Sequence, residues 1–323
     1  MDTSRAFRTS AVLLFACAAC IAAAEPSPAP KAPIAPERVV ILVIDGPRWS
    51  ETWGDPQRAN IPKRAGELAA AGMMWTDFSN SGPTYTNAGH TAMTTGFDQP
   101  IDNRGRELPA HPGIFQLHLE KSGAPATDAW IVSSKDKLAI LADTVDPAWK
   151  GKFLCSLDCG VKGNGTGYRD DATTMKRVRE VLTNHHPHLM LINLKEPDAS
   201  GHAKDWQAYL QGIRDTDAYA GRLWTWLQED PIYAGKTALF ITNDHGRHLD
   251  ANGGFAEHGC DCLGCRHIEL LALGPFSGRG SSSERRDLRD LAATVASILG
   301  VTLAGSPGRV LDELVKPAAA PPP

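Results

Sequence analysis

Three aspartates stand where apolar, strand-like runs end, and two of them have histidine close by. Asp45 closes RVVILVID (38–45), Asp198 lies in EPDASGH (196–202) just after HLMLINL (188–194), and Asp244 with His245 follows TALFITN (237–243). A single aspartate at such a position is ordinarily a helix cap or turn residue, because its carboxylate satisfies nearby backbone amides. Three in one chain, two beside imidazoles, are harder to explain by capping. Carboxylates and neutral imidazoles bind zinc well, and two divalent metals roughly 4 Å apart clamp the attacking and leaving oxygens of a phosphoryl displacement. That chemistry needs a nucleophile. The segment GPTYTNAGHTAMTTG (82–96) is rich in threonine, follows a predicted strand and opens a short helix. By itself it also reads as an ordinary capped helix start.

The elements that must bring these residues together are visible as alternating patterns. The run 38–45 is a buried strand by length and β-branching, and a helix follows from about Ile61 to Gly72. Further strands are expected at MMWTDFS (73–79), AWIVSS (129–134), 188–194, 237–243 and IELLALG (268–274), with helical patterns near 112–121, 171–184, 206–228 and 286–299. Strands alternating with helices of this length predict an α/β fold, a mostly parallel central sheet with helices on both faces. In such sheets ligands bind beyond the carboxyl ends of the strands, where the three aspartates fall.

The stretches ILVIDG (41–46), PTYTNAGHTAMTTG (83–96), EPDASGH (196–202), TNDHG (242–246) and AEHG (256–259), in this order, resemble the alkaline phosphatase superfamily. The resemblance is closest to its nucleotide pyrophosphatase/phosphodiesterase-like and threonine-type phosphatase branches. It extends over the chain beyond residue 36, since RDLAATVASILGV (289–301) and SPGRVLDEL (306–314) are similar to the superfamily's closing helix and strand. It implies an alkaline phosphatase-like fold and two divalent metal ions, zinc by preference. Asp45, Asp244, His245 and Thr86 would hold one metal, and Asp198, His202 and His258 the other. Thr86 would be the nucleophile of a phosphothreonine intermediate, with Thr84 as the alternative. His258 is preferred to His248, which reads as a surface or supporting residue.

Substrate recognition is also carried by the resemblance. Asn103, in PIDNRG (100–105), is similar to the family asparagine that contacts a phosphoryl oxygen, although Asn-Arg-Gly is also common in turns. SSKDKLAIL (133–141) resembles the Ser-x-Lys-Asp-Arg segment of the threonine-type monoesterases, with Lys135 at the lysine and Lys137 where arginine is usual. A lysine lacks the bidentate fork of arginine. The implied activity is phosphoric ester hydrolysis, phosphomonoesterase first. The alternatives are a type I phosphodiesterase or nucleotide pyrophosphatase, then a phosphotransferase or an inactive binder of phosphorylated ligands. Sulfatase chemistry is not expected, because no Cys/Ser-x-Pro-x-Arg context occurs.

With a formal charge of −4 and a pI near 6.3, the chain has no broad basic field for a nucleic-acid duplex, so a small phosphorylated substrate is the expected partner. Arg5 and Arg8 precede the apolar run Ala11 to Ala24, which is too short to span a bilayer comfortably and ends in small residues. Residues 1–24 therefore read as a signal peptide, with Cys17 and Cys20 leaving a lipid-anchored lipoprotein as the alternative. Residues 25–36 read as a proline-rich linker, 37–315 as the catalytic domain and 316–323 as a disordered tail. The expected location is periplasmic or secreted. Export would favour disulfides among Cys155, Cys159, Cys260, Cys262 and Cys265. Five is an odd number, and Cys-x-Cys-x-x-Cys with one further partner is also a structural zinc pattern.

Overall fold

The computed structural model describes residues 36–315 together with residue 1. The signal peptide, almost all of the linker and the tail expected from the sequence lie outside the described residues. Among the described residues, no helix is long and apolar enough to cross a membrane.

Among the described residues, nine strands form one sheet: β1 (Arg38–Ile44), β2 (Met73–Ser79), β3 (Ala129–Ser133), β4 (Ser156–Cys159), β5 (Leu189–Leu194), β6 (Thr237–Thr242), β7 (His267–Leu273), β8 (Gly280–Ser282) and β9 (Arg286–Asp287). Their order is β4-β3-β5-β1-β6-β7-β2-β8, with β9 also pairing with β2. Strands β4, β3, β5, β1 and β6 run parallel, while β7 is antiparallel to both β6 and β2. The sheet is thus mostly parallel, as the alternation of elements predicts. The short pairings of β4, β8 and β9 escape sequence reading because so few residues carry no period.

A π-helical turn (Lys63–Leu68) leads into α1 (Ala69–Ala71), followed by α2 (Thr86–Thr95), α3 (Ile114–Ser122), α4 (Asp171–His185), α5 (Asp198–His202), α6 (Trp206–Glu229), α7 (Leu263–Arg266) and α8 (Leu288–Leu299). The helix expected from Ile61 to Gly72 is therefore mostly π-helical. There Asp217 accepts hydrogen bonds from the backbone amides of Lys63 and Arg64 and from the Arg64 side chain. That anchoring by another helix has no signature in local sequence.

The pleat of β1 explains why both faces are covered. Val39, Ile41 and Val43 belong to one core cluster with Met93 of α2, Phe115 of α3 and Val295 of α8. Val40, Leu42 and Ile44 point the other way, into a cluster with Val178 of α4 and Ile213 and Leu223 of α6. Each such side chain contributes roughly 1.5–3 kcal/mol by leaving water, so a strand apolar on both faces is stable only between two helical layers. Helix starts are secured by side chains: Asp205 caps α6 at the amide of Ala208, and Asp287 with Asp290 forms a capping box on α8.

Candidate active site

The parallel strands deliver their carboxyl ends to one edge, and the polar residues follow directly. Asp45 comes next after β1, Lys135 two residues after β3, Asp198 four after β5, and Asp244 and His245 just after β6. The single helical turn of α5 sets Asp198 and His202 four residues apart, on one face. Thr86 opens α2, whose N-terminal turn lies against the backbone of Asp244. Any side chain at Gly89 would collide with the Asp244 carbonyl, so glycine is required for this approach.

These residues converge. The Lys135 ammonium lies 2.8 Å from Asp45 Oδ1, 2.6 Å from Asp198 Oδ2 and 3.3 Å from the Thr86 hydroxyl. His245 Nε2 is 3.5 Å from Thr86 Oγ1, from Asp45 Oδ1 and from Asp244 Oδ2. Its ring stacks on His258 with centroids 3.9 Å apart. Asp198 Oδ1 is 3.4 Å from His202 Nε2 and 3.5 Å from His258 Nε2, and those two nitrogens are 3.0 Å apart. Two overlapping donor sets result, Asp45–Asp244–His245 and Asp198–His245–His258, with His245 common to both and His202 at the more exposed rim. Asn103 and Lys137 stand beside the start of α2: Asn103 Oδ1 accepts from the Asn87 amide and from Lys137 Nζ, both at 3.0 Å.

Burial sets the protonation of this cluster. It pushes the carboxyl of Asp45 well above the usual carboxylate range, helped by the nearby charge of Asp244. For Asp198 burial acts in the same direction, but the surrounding cations, Lys135 foremost, outweigh it and hold the pKa well below ordinary. Lys135 is buried too, yet Asp198, Asp45 and Asp244 hold its pKa above that of a free lysine, so it stays charged. For Lys137 the same three carboxylates are outweighed: burial, then repulsion from Lys135, pulls it down to about 8. Burial drives His258 down to about 2 and also lowers His245, leaving both imidazoles neutral.

The donors suit divalent cations. Asp45 Oδ1 and Asp244 Oδ2 are buried without a hydrogen bond, although the Lys135 ammonium lies 2.8 Å from the former. Buried carboxylate oxygens left unpaired are costly, and a cation shared with a neutral imidazole is the partner they fit. Asp45, Asp244 and His245 would hold one metal, and Asp198 with His258 and His202 the second.

Several contributors were not anticipated. Arg247, fully buried, pairs with Asp198 and donates to the carbonyls of Phe255 and Ala256. Gly201 packs so closely on this guanidinium that a Cβ would strike it. Asn193 donates to Asp45 Oδ2 at 3.1 Å, and His90 approaches Asp244 Oδ2 at 3.5 Å. Asn193 had a signal, a polar residue inside an otherwise apolar strand. His90 had one in its spacing of four from Thr86. Arg247 had none, because a charged residue after a glycine reads as surface.

Comparison with known proteins agrees with this architecture. A family profile described as the metalloenzyme superfamily matches residues 131–303, more than half the chain. The chain belongs to this superfamily, whose fold is alkaline phosphatase-like. A curated relative, the 2,3-bisphosphoglycerate-independent phosphoglycerate mutase of Halobacterium salinarum, is 28% identical over 206 residues. The match spans 63% of this chain but only 37% of the relative's length. Among solved structures, the phosphonate monoester hydrolase of Silicibacter pomeroyi superposes with a TM-score of 0.61 at 14% identity, covering 88% of this chain and 78% of its own. Murine ectonucleotide pyrophosphatase/phosphodiesterase 5, as an inactive threonine-to-alanine variant in complex with AMP, does so with 0.62 at 16% identity, covering 87% and 100%.

Proposed function

We propose that the chain is an exported phosphoric ester hydrolase in which Thr86 attacks phosphorus, with phosphate monoesters as the preferred substrates. The observation that carries this reading is the position of Thr86 Oγ1 at a helix start, 3.3 Å from Lys135 and 3.5 Å from His245, the residue that both donor sets share. Thr84 is a poorer candidate because its hydroxyl is engaged by the Cys260 carbonyl at 2.9 Å. A solved relative of the same fold is described as inactive when a threonine is changed to alanine, which supports a threonine nucleophile.

Two divalent cations, zinc by donor preference, would supply Lewis acidity at the reacting oxygens. The chain's own groups do the remaining work. Lys135, kept charged by its carboxylate neighbours, stabilises negative charge on Thr86 Oγ and on the phosphoryl group. Amides at the start of α2 favour an anion there. Asn103 uses its Oδ1 on Asn87 and Lys137, which leaves Nδ2 as its donor for a phosphoryl oxygen. The bond from Thr86 Oγ to phosphorus forms as the ester P–O bond breaks, and the proton given up by the hydroxyl is balanced by one gained by the leaving alcohol. Water then cleaves the phosphothreonine and restores the hydroxyl. A monoester's extra charge is matched by Lys135 and Lys137 together.

Phosphodiester hydrolysis is the second reading. It is favoured by Lys137, which stands in place of a permanently charged arginine and loses its proton near pH 8.

Matched aryl monoester, diester and sulfate substrates, assayed on zinc-loaded protein with and without an alcohol acceptor, test the proposal. The monoester should turn over fastest and to inorganic phosphate, acid quenching should leave phosphate on the Thr86 peptide, and Thr86→Ala should lower the rate on the order of 10⁴-fold. Unchanged turnover in Thr86→Ala rejects the nucleophile. A diester preference selects the second reading, and dominant transfer to the alcohol makes the chain a phosphotransferase.

A further inference from the structure

The loop between β6 and β7 carries a second cluster of metal-ligand side chains, separate in chemistry from the carboxylate site. His248, Cys260, Cys262 and Cys265 each offer a ligand atom within 4.8 Å of the others. The disulfide that export would favour is not formed: all five cysteines among the described residues are free. Cys260 and Cys265 hold their sulfurs 3.8 Å apart. A disulfide needs about 2.05 Å, whereas two thiolates each about 2.3 Å from a tetrahedral zinc stand roughly 3.8 Å from one another. A bridge between any two of these cysteines would also leave the third, and His248, without a role.

Independent features of the backbone point the same way. His248 directs Nδ1 at Cys260 Sγ from 3.1 Å, and the Cys262 amide donates to the same sulfur at 3.3 Å. Cys262 is the N-cap of α7, which places Cys265 one turn on and fully buried. The His248 amide donates to the Glu257 carbonyl at 2.9 Å, closing the loop behind the cluster.

We propose that His248, Cys260, Cys262 and Cys265 form a structural zinc site. Each thiol gives its proton to solvent on becoming a ligand, and no oxidant or reductant is required. Four protein ligands leave no open position for substrate or water, which makes the site structural rather than catalytic. Its placement gives it a task. His248 adjoins Arg247, which pairs with Asp198, and Cys260 lies two residues beyond His258. The Cys260 carbonyl accepts from Thr84 Oγ1, and His258 Nδ1 lies 2.8 Å from the Thr84 carbonyl. The zinc clip therefore fastens the loop bearing His258 and Arg247 to the segment leading into α2. The site stands whether or not the proposed hydrolysis does.

Cobalt exchange and zinc X-ray absorption on the full purified chain test it. The zinc spectrum should contain a sulfur shell at about 2.3 Å, and the cobalt form should show thiolate-to-metal charge transfer in the near ultraviolet. Cys262→Ser should lose most of that band and one equivalent of zinc per chain. Asp45→Asn, which alters only the carboxylate cluster, should keep the band in full. Exclusively nitrogen and oxygen neighbours around zinc in the unmodified chain, or a disulfide among these cysteines in non-reducing peptide maps, would overturn the site. The unmodified chain decides the matter even if Cys262→Ser fails to fold.

Discussion

Two buried charge clusters lie on this sheet, and they have the same formal balance. At the carboxyl edge, three carboxylates (Asp45, Asp198, Asp244) face two cations, Lys135 and Arg247. Around β7, two carboxylates (Asp217, Glu269) face one, Arg64. Each cluster is one negative charge in excess, so net charge does not distinguish them. The use of oxygen lone pairs does. Asp217 accepts from the amides of Lys63 and Arg64 and from the Arg64 side chain, and Glu269 accepts from Arg64 and from Trp53. Every carboxylate oxygen there has a donor. At the edge of the sheet Asp45 Oδ1 and Asp244 Oδ2 accept no hydrogen bond, although the Lys135 ammonium lies 2.8 Å from the former and the His90 ring 3.5 Å from the latter. A closed cluster fastens helix to sheet, while an open one retains capacity for cations and stores like-charge repulsion until they are supplied.

The contrast can be broken by opposite effects on rate and stability. Asp45→Asn should reduce phosphate ester turnover on the order of 10³-fold, the upper end for losing one preorganised electrostatic group. In chelator it should nonetheless raise the melting temperature. The folded pKa of Asp45 is raised, so its contribution to stability is present below the ordinary carboxylate pKa and lost as pH rises through the folded value; asparagine avoids that loss at neutral pH. A lower melting temperature for the metal-free variant would put Asp45 in the closed class.

Arg64→Met should do the reverse, leaving Asp217 and Glu269 buried without a counterion. Denaturant titration should show a loss of about 3 kcal/mol, with turnover per folded molecule changed only a few-fold. A loss of turnover matching that of Asp45→Asn would mean that the two clusters act as one.

The smallest effect concerns Lys137 at the rim of the open cluster. Its charged form binds the extra negative charge of a monoester, so monoester kcat/KM should be full below about pH 8 and decline as pH rises through that value. Diester kcat/KM should decline less. Lys137→Arg should remove the limb, because a guanidinium stays protonated far above this range. An unchanged limb in that variant would assign the titration to another group.

Much of this was readable in advance. Strands β1, β2, β3, β5, β6 and β7 fall where apolar runs of strand length occur, because burial between two helical layers demands such runs whatever the topology. Asp45, Asp198, Asp244 and His245 were legible because strand ends and helix starts are local features. Other parts were hidden. His248 read as a surface or supporting residue, and only the return of the chain through Glu257 brings it to the cysteines. Arg247 gave no sign of burial, since its partner Asp198 lies far off in the chain.

From sequence alone came the residue types, their order and the elements on which they sit, because hydrophobic period and end residues are properties of neighbours in the chain. Tertiary structure alone decided which strands adjoin, that β7 runs antiparallel, which carboxylate oxygens lack a donor and which thiols face an imidazole. Those depend on pairings between distant segments, where a shift of a few ångströms separates a satisfied hydrogen bond from an open ligand position, and no local pattern encodes that distance.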